Sequence, residues 1–282
     1  MNNKHILSMA FAGKFYPASR DVLEKDIAHL LSENNYRSNE KIFAIMSPHA
    51  GYMYAGPVYG AAYSAVNRKK IKTVIIISNS HHSYFDGISV YAKGGYETPL
   101  GKIYVDADLA EKIIKKDKKI SFNEKVYNNE HSIEAQLPFI KTVLPNGKIV
   151  PIIMGNDLMA TCDLLALSIQ DAIIGRDDIL IVASSDMSHY PSYDAANKVD
   201  KEVLDMIKKG SAIELEKLLF EIEIRGISGG ISFLCGAGAV KTTMILAKAV
   251  GANKIDVLKY LNSGDVSDKG GVVGYGAVAF SK

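Results

Sequence analysis

The segment TVIIISNSHH, residues 73–82, joins a run of β-branched residues directly to a polar end with two adjacent histidines. A short apolar run of this composition favours a buried strand. It is far shorter than the roughly 20 residues that cross a bilayer as a helix. The run Ile149–Met154 has the same character. Both runs therefore predict strands that are covered on both faces, as in a largely parallel sheet.

Strand-like and helix-like segments alternate along the chain, which is the pattern of a sheet with helices on both faces. The predicted strands are Lys41–Met46, Thr73–Ser78, Ile149–Met154, Ile179–Ser184, Ile255–Asn262 and Gly274–Phe280. The predicted helices are Asp21–Ser32, Pro57–Val66, Asp108–Lys116, His131–Leu144, Leu158–Ile174, Tyr193–Lys209, Ala212–Phe220 and Ala237–Val250. Pro57 suits the first position of its helix, where its missing N–H costs nothing. Between Gly87 and Val105, turn-forming residues separate short runs that indicate antiparallel strands.

These segments predict an α/β fold with a central mixed, largely parallel sheet flanked by helices on both faces. The chain has 282 residues, of which 48% are hydrophobic, and no shift in composition divides it. Such a chain can bury a large core. We therefore expect one domain that covers residues 1–282.

Charge and cysteine content narrow the class of protein. Lys and Arg number 33 against 31 Asp and Glu, so the chain lacks the basic excess of a general nucleic-acid binder. Two cysteines without a signal peptide or a disulfide framework indicate a reducing compartment, and we expect the cytoplasm. The glycine clusters contain neither a Walker motif nor a dinucleotide-binding fingerprint. We therefore expect neither a nucleic acid nor a membrane as partner.

Five of the seven histidines lie where a predicted strand ends or a predicted helix begins. They are His49, His81, His82, His131 and His189. Ligands of open α/β sheets bind beyond the carboxyl ends of the strands, so these side chains are candidates for one pocket. Adjacent side chains that leave an extended strand point to opposite sides. We therefore predict His49 and His81, rather than His82, as metal ligands.

The segment Ser184–Tyr190 places a carboxylate and an imidazole three residues apart after the fourth predicted strand. A neighbouring carboxylate favours imidazolium and can tune a histidine for acid/base work near neutral pH. The alternative is that Asp186 caps the following turn. We predict His189 and Asp186 as catalytic residues, with Asp186 orienting His189.

The two cysteines have different surroundings in the sequence. Cys235 precedes an apolar helix, and a helix N-terminus favours the thiolate form of a nearby thiol. This position suits a metal ligand or a nucleophile. Cys162 falls inside a predicted helix and is better explained as a small buried hydrophobic residue.

Further polar side chains accompany the predicted ligands. Glu130 and His131 open a predicted helix, where capping and a role in holding a ligand are both open. Tyr54 lies in the loop after His49, between two glycines. We assign His82, Glu130, His131 and Tyr54 to positions that support the metal ligands or contact the substrate.

The motifs taken in order resemble those of the Memo family over nearly the whole chain. They are Ala12-Gly13-Lys14-Phe15-Tyr16-Pro17, His49-Ala50-Gly51-Tyr52, Ser80-His81-His82, Glu130-His131-Ser132-Ile133-Glu134, Ser184-Ser185-Asp186 through His189, and Cys235-Gly236. The resemblance implies a fold similar to that of extradiol non-heme-iron dioxygenases. It also implies that His49, His81 and Cys235 bind iron or copper, and that Asp186 and His189 line the same pocket.

The resemblance leaves three functions to separate. In the dioxygenases the third metal ligand is a carboxylate, whereas two histidines and a cysteine favour Cu(I), Fe(II) or Zn(II). The first function is therefore a metal-dependent redox enzyme of unknown substrate, with His189 moving protons. The second is a binding module for a peptide or small ligand on a vestigial dioxygenase-like fold. The third is nucleophilic catalysis by Cys235 with His189 as base. Metal content after anaerobic purification separates the first from the others.

Overall fold

A computed structural model describes residues 5–34, 36, 41–66 and 68–282, which form an α/β domain around one mixed sheet. The strands are β1 (Ile6–Leu7), β2 (Ile42–Ser47), β3 (Thr73–Asn79), β4 (Ile88–Val90), β5 (Gly95–Tyr96), β6 (Ile103–Val105), β7 (Ile120–Ser121), β8 (Lys148–Met154), β9 (Ile179–Ser184), β10 (Lys254–Asn262) and β11 (Gly274–Ser281). The helices are α1 (Arg20–Ser32), α2 (Tyr52–Ser64), α3 (Ala107–Ile114), α4 (His131–Glu134), α5 (Leu137–Val143), α6 (Met159–Ala172), α7 (Tyr193–Lys209), α8 (Ala212–Arg225) and α9 (Ala237–Ala249). Short 3₁₀ helices cover Glu124–Tyr127 and Ser263–Asp265.

The sheet confirms the predicted fold class. Its strands follow the order β1-β5-β6-β8-β3-β9-β2-β11-β10, and β4 and β7 extend it beside β8. The central strands β8, β3, β9 and β2 are mutually parallel. At one side of them, β11 is antiparallel to both of its neighbours, β2 and β10. Every residue of β2 and β9 is buried, as expected for strands covered by helices on both faces.

Three predicted helices differ from the observed ones. Helix α8 continues to Arg225, past its predicted end at Phe220. Helix α2 begins at Tyr52 rather than Pro57, so Pro57 lies inside the helix. The N–H that proline lacks would have bonded to the carbonyl of Met53, and Met53 is 75% exposed, so water can take its place. The predicted helix His131–Leu144 is two short helices, α4 and α5. Pro138 lies at the start of α5, where a proline favours a new helix over the continuation of an old one.

The strand order decides where the polar side chains meet. Strands β3, β9 and β2 are direct neighbours and parallel, so their carboxyl ends lie at one edge of the sheet. His81, Asp186 and His49 each follow one of these ends by two residues. No helix in the described part of the chain is both long and apolar enough to span a membrane.

Candidate metal centre

Three imidazole rings meet beyond the carboxyl ends of β2 and β3. The rings belong to His49, His81 and His131, and each offers a nitrogen within 4.8 Å of the others. The ring centroids are 4.8 Å apart for His49 and His81, 5.0 Å for His49 and His131, and 4.6 Å for His81 and His131. Imidazole nitrogens at such distances can share one metal ion.

Hydrogen bonds fix the tautomer of His49. The Ser184 hydroxyl donates its only proton to the carbonyl of Ser132 at 2.7 Å, and it accepts a hydrogen bond from Gln136 Nε2 at 2.9 Å. His49 Nδ1, which lies 3.1 Å from Ser184 Oγ, must therefore be the donor in that contact. The lone pair of the neutral ring is then on Nε2. Burial, with the neighbouring His81, holds the pKa of His49 well below its ordinary value, which keeps this lone pair available.

Glu130 orients His81 in the same way. Its Oε1 accepts a hydrogen bond from His81 Nδ1 at 2.9 Å, and its Oε2 accepts one from the His81 backbone N–H at 2.8 Å. Burial alone would raise the pKa of Glu130, but the hydrogen bonds from His81 and Ser132 lower it to about 2. The carboxylate can therefore only accept, and His81 Nδ1 carries a proton. His81 Nε2 is buried without a hydrogen-bond partner.

His131 completes the cluster from helix α4. Its Nδ1 lies 3.6 Å from Glu130 Oε1, and the rings of Phe11 and Phe15 pack against it with centroids at 5.8 and 5.3 Å. Burial, together with His49 and His81, lowers the pKa of His131 to about 3, so its ring is neutral. The sequence predicted His131 as a supporting residue. The structure places its donor nitrogen among the metal-capable ones.

Cys235 approaches His49 from the loop before α9. Its Sγ lies 3.1 Å from His49 Nε2 and accepts a hydrogen bond from the Asp186 backbone N–H at 3.3 Å. Gly236 permits this approach, because a Cβ there would overlap the Ser184 carbonyl oxygen and lie 2.7 Å from Ser185 Cβ. The structure thus brings Cys235 to His49, although the three mutually close donors are all histidines.

The prediction that Cys235 is a thiolate is wrong unless a cation binds beside it. Burial raises the pKa of the Cys235 thiol, and the nearby Asp186 carboxylate raises it further. Desolvation and a like charge therefore outweigh the effect of the helix N-terminus. A cation bound beside Sγ would reverse this balance.

Asp186 supports His49 rather than His189. Its Oδ1 accepts the backbone N–H of His49 at 2.8 Å, and its Oδ2 lies 3.9 Å from His49 Nε2. Burial raises the pKa of Asp186. His189 Nδ1 instead lies 3.1 Å from the carbonyl of Met187, and a carbonyl can only accept, so His189 carries its proton on Nδ1. A backbone carbonyl, rather than Asp186 as predicted, therefore orients the His189 ring.

The remaining predicted residues lie at the margin or elsewhere. His82 is exposed, with its ring centroid 6.2 Å from that of His131. Tyr54 is half-buried in the first turn of α2. Cys162 is buried in α6 with its thiol on the carbonyls of Asp157 and Gly238, and burial raises its pKa to about 11.

The donor set fits a bound transition metal. Two imidazoles offer Nε2 lone pairs that their Nδ1 contacts hold in place, and His81 Nε2 has no hydrogen-bond partner among the residues that the structure describes. For bonds of about 2.1 Å to nitrogen and 2.3 Å to sulfur in tetrahedral geometry, the two donors are about 3.6 Å apart. His49 Nε2 and Cys235 Sγ are 3.1 Å apart, so they would have to separate slightly to share an ion. A histidine whose other nitrogen bonds a carboxylate, as in His81 with Glu130, is a common metal ligand.

Comparison with known proteins gives consistent matches over almost the whole chain. The family model described as Memo-like protein matches residues 8–279. A MEMO1 family protein of Methanobrevibacter smithii is 35% identical over 284 residues, covering 96% of this chain and 98% of the relative. A MEMO1 family protein of Nitrosopumilus maritimus is 32% identical over 276 residues, covering 95% and 97%. The crystal structure of an uncharacterized protein from Escherichia coli K12 superposes with a TM-score of 0.51 at 14% identity. It covers 85% of this chain and 100% of that one.

Proposed function

The chain belongs to the Memo-like protein family, and on that premise we propose that it is a redox enzyme that uses one iron or copper ion. His49, His81 and Cys235 would hold the ion, with zinc as the redox-inactive alternative. The substrate would be a small molecule or a peptide that reaches the cluster in the cytoplasm. The observation that carries this proposal is the buried His81 Nε2, which has no hydrogen-bond partner in the described part of the chain and lies among the imidazoles of His49 and His131.

The protein's own groups prepare the site before any ion arrives. Ser184 and Glu130 hold protons on the Nδ1 atoms of His49 and His81, so both Nε2 atoms are ready to donate. A bound iron or copper ion would supply redox chemistry and Lewis acidity at this point. The Cys235 thiol must lose its proton to become a ligand, and the carboxylate of Asp186 and the imidazole of His189 are nearby groups that could accept it.

Two residues compete for the third ligand position. Cys235 Sγ lies against His49 Nε2, whereas the His131 nitrogen lies within 4.8 Å of both other imidazoles. We propose Cys235 as the ligand, since a thiolate neutralises one charge of the ion and suits Cu(I) or Fe(II). His131 would then remain a neutral ring at the wall of the site, packed against Phe11 and Phe15.

Elemental analysis of anaerobically purified protein tests the proposal. The chain should carry about one equivalent of iron or copper, and His81→Ala should lose it. His29→Ala is the matched control, because His29 is an exposed histidine on α1 whose ring faces Glu33 and is not among the clustered imidazoles. Both variants should keep the fold, since the core is large without a metal. A folded, metal-free wild-type protein that takes up no added iron or copper would instead favour the ligand-binding module.

The metal-loaded protein then allows a test of catalysis. Oxygen consumption with a panel of catechols and thiols should exceed that of His81→Ala under the same conditions. Equal rates for the two proteins would leave metal binding intact and remove the redox reaction from the proposal.

A further inference from the structure

A second cavity is lined by Glu130, the residue that also contacts His81. It has a volume of about 300 Å³, and we call it the Glu134 pocket. Its polar lining residues are Ser8, Tyr96, Tyr127, Asn128, Asn129, Glu130 and Glu134, and Leu7 and Ala10 complete the lining. Since one water takes about 30 Å³ of liquid, the space can hold an ion with several waters.

The pocket has an acidic floor and a polar rim. Glu130 and Glu134 are 3% and 4% exposed, and they lie four residues apart, on one face of α4 and its cap. Ser8, Asn128 and Asn129 are exposed and open the pocket to solvent. None of the described lining residues is lysine, arginine or histidine. The electrostatic potential inside therefore favours a positive ligand.

Glu134 is a buried carboxylate without a cationic partner among the residues that the structure describes. Its Oε2 accepts the Ala10 N–H at 3.0 Å, and its Oε1 accepts the Phe11 N–H at 2.8 Å and the Tyr16 hydroxyl at 2.7 Å. All three donors are neutral. Buried charges are normally paired with a cation or coordinate a metal.

Tyr96 gives a second and independent indication of a ligand. The residue is 3% exposed and lines the pocket, and its hydroxyl oxygen has no hydrogen-bond partner among residues 5–34, 36, 41–66 and 68–282. Burial raises the pKa of Tyr96, and the charges of Glu134 and Glu130 add to this effect. Both carboxylates are thus near the hydroxyl, yet neither is hydrogen-bonded to it. Buried hydroxyls are rarely left unpaired, so a group in the pocket is expected to bind this one.

We propose that the Glu134 pocket binds a hard divalent cation, of the class of Ca²⁺ or Mg²⁺. The donors that face the pocket are carboxylate, phenol, hydroxyl and amide oxygens, which such cations prefer. The histidine cluster offers nitrogen and sulfur donors instead and suits a softer metal. The two sites share only Glu130, so the second site does not depend on the proposed redox function.

Calcium titration of the full-length protein tests this site. We expect saturable binding with a Kd of about 10⁻⁴ to 10⁻³ M, because water supplies many of the ligands, and a rise in Tm as Ca²⁺ is added. Mg²⁺ added during the Ca²⁺ titration should compete for the same site. The double variant His49→Ala/His81→Ala should bind Ca²⁺ as the wild type does. Loss of Ca²⁺ binding in that variant would place the ion in the histidine cluster and overturn the proposal.

Tyr96→Phe is the decisive variant. It should raise the Kd for Ca²⁺ about tenfold, and the Tm without Ca²⁺ should stay the same or rise, because the missing hydroxyl had no partner to lose. Tyr104→Phe, at an exposed tyrosine of β6, is the matched control and should bind as the wild type does. Glu134→Gln should abolish binding if it folds. Equal affinity of Tyr96→Phe and wild type, or no saturable binding of either cation, would refute the site.

Discussion

His49 Nε2 and Cys235 Sγ are 3.1 Å apart, and this contact joins a loop after β2 to a loop before α9. The pair does not resemble an activated nucleophile, since the pKa of the imidazole is lowered and that of the thiol is raised. An activated pair needs the opposite shifts, which favour thiolate and imidazolium. The neutral Cys235 thiol can donate its proton to the Nε2 lone pair of His49, so the contact is a hydrogen bond between neutral groups and does not indicate attack by Cys235. The third function considered from the sequence therefore has the least support.

The two cysteines should respond differently to substitution. Cys235→Ser should lower the affinity for iron or copper by more than a hundredfold, because it removes a proposed thiolate ligand beside His49. Removing a residue that only orients a metal ligand typically lowers the metal affinity by about 10- to 100-fold. Cys162→Ser should leave the affinity nearly unchanged, since Cys162 is buried in α6 on the carbonyls of Asp157 and Gly238. Metal titration with elemental analysis of the folded proteins measures both. If His131→Ala abolished binding while Cys235→Ser had little effect, three histidines would be the ligands.

Glu130→Gln should weaken metal binding without abolishing it. The carboxylate accepts the Nδ1 proton of His81 at 2.9 Å, and a neutral amide would orient the ring less firmly and make it less basic. We expect a loss of affinity of about 10- to 100-fold. The control is Glu111→Gln, at an exposed position of α3. An unchanged metal affinity in Glu130→Gln would show that other contacts suffice to position His81.

His189→Ala should keep the metal and lose activity. His189 is held through Nδ1 by the Met187 carbonyl, which leaves Nε2 free for proton transfer. We expect turnover to fall by about a hundred- to ten-thousandfold, as is usual when a positioned acid or base is removed. Asp186→Asn should give a smaller loss, since its amide oxygen can still accept the His49 N–H. Loss of stoichiometric metal from folded His189→Ala would make His189 a ligand instead.

Asp200 should make the protein more stable at mildly acidic pH. It is fully buried in α7 and accepts hydrogen bonds from Ser188 and Tyr260. Burial raises its pKa from 3.8 to about 6, against the opposing effect of those hydrogen bonds. Between these pH values the folded state binds more protons than the unfolded chain. The Asp200 contribution to the free energy of unfolding therefore falls as pH rises from about 4 to 6, by about 3 kcal/mol in total.

Urea denaturation between pH 4 and 7 measures this contribution. Asp200→Asn should remove the decrease relative to the wild type, because the amide does not titrate. Asp205→Asn, at an exposed position of the same helix, should keep it. Parallel pH profiles for wild type and Asp200→Asn would show that Asp200 does not titrate in this window.

The sequence by itself determined the fold class and the strand ends that carry the polar residues. Runs such as Thr73–Ile77 are too apolar and too β-branched to be anything but buried strands, and parallel strands bring their carboxyl ends to one edge. His49, His81 and Asp186 could be assigned to one region on that ground alone. His131 was also a candidate for this pocket because it begins a predicted helix, and Cys235 was a candidate ligand because it precedes one. Their contacts with His49 could not be predicted from spacing.

Only the tertiary structure decided which of these side chains touch. Sequence spacing suggested that Asp186 orients His189. In the fold, the Asp186 carboxylate instead accepts the backbone N–H of His49, and the His189 ring contacts the Met187 carbonyl. The raised pKa of the Cys235 thiol likewise follows from burial, which the local sequence does not encode. Periodicity and composition fix how a segment is buried. The partner of a polar atom depends on the order in which strands and helices pack, because each hydrogen bond joins segments distant in the chain.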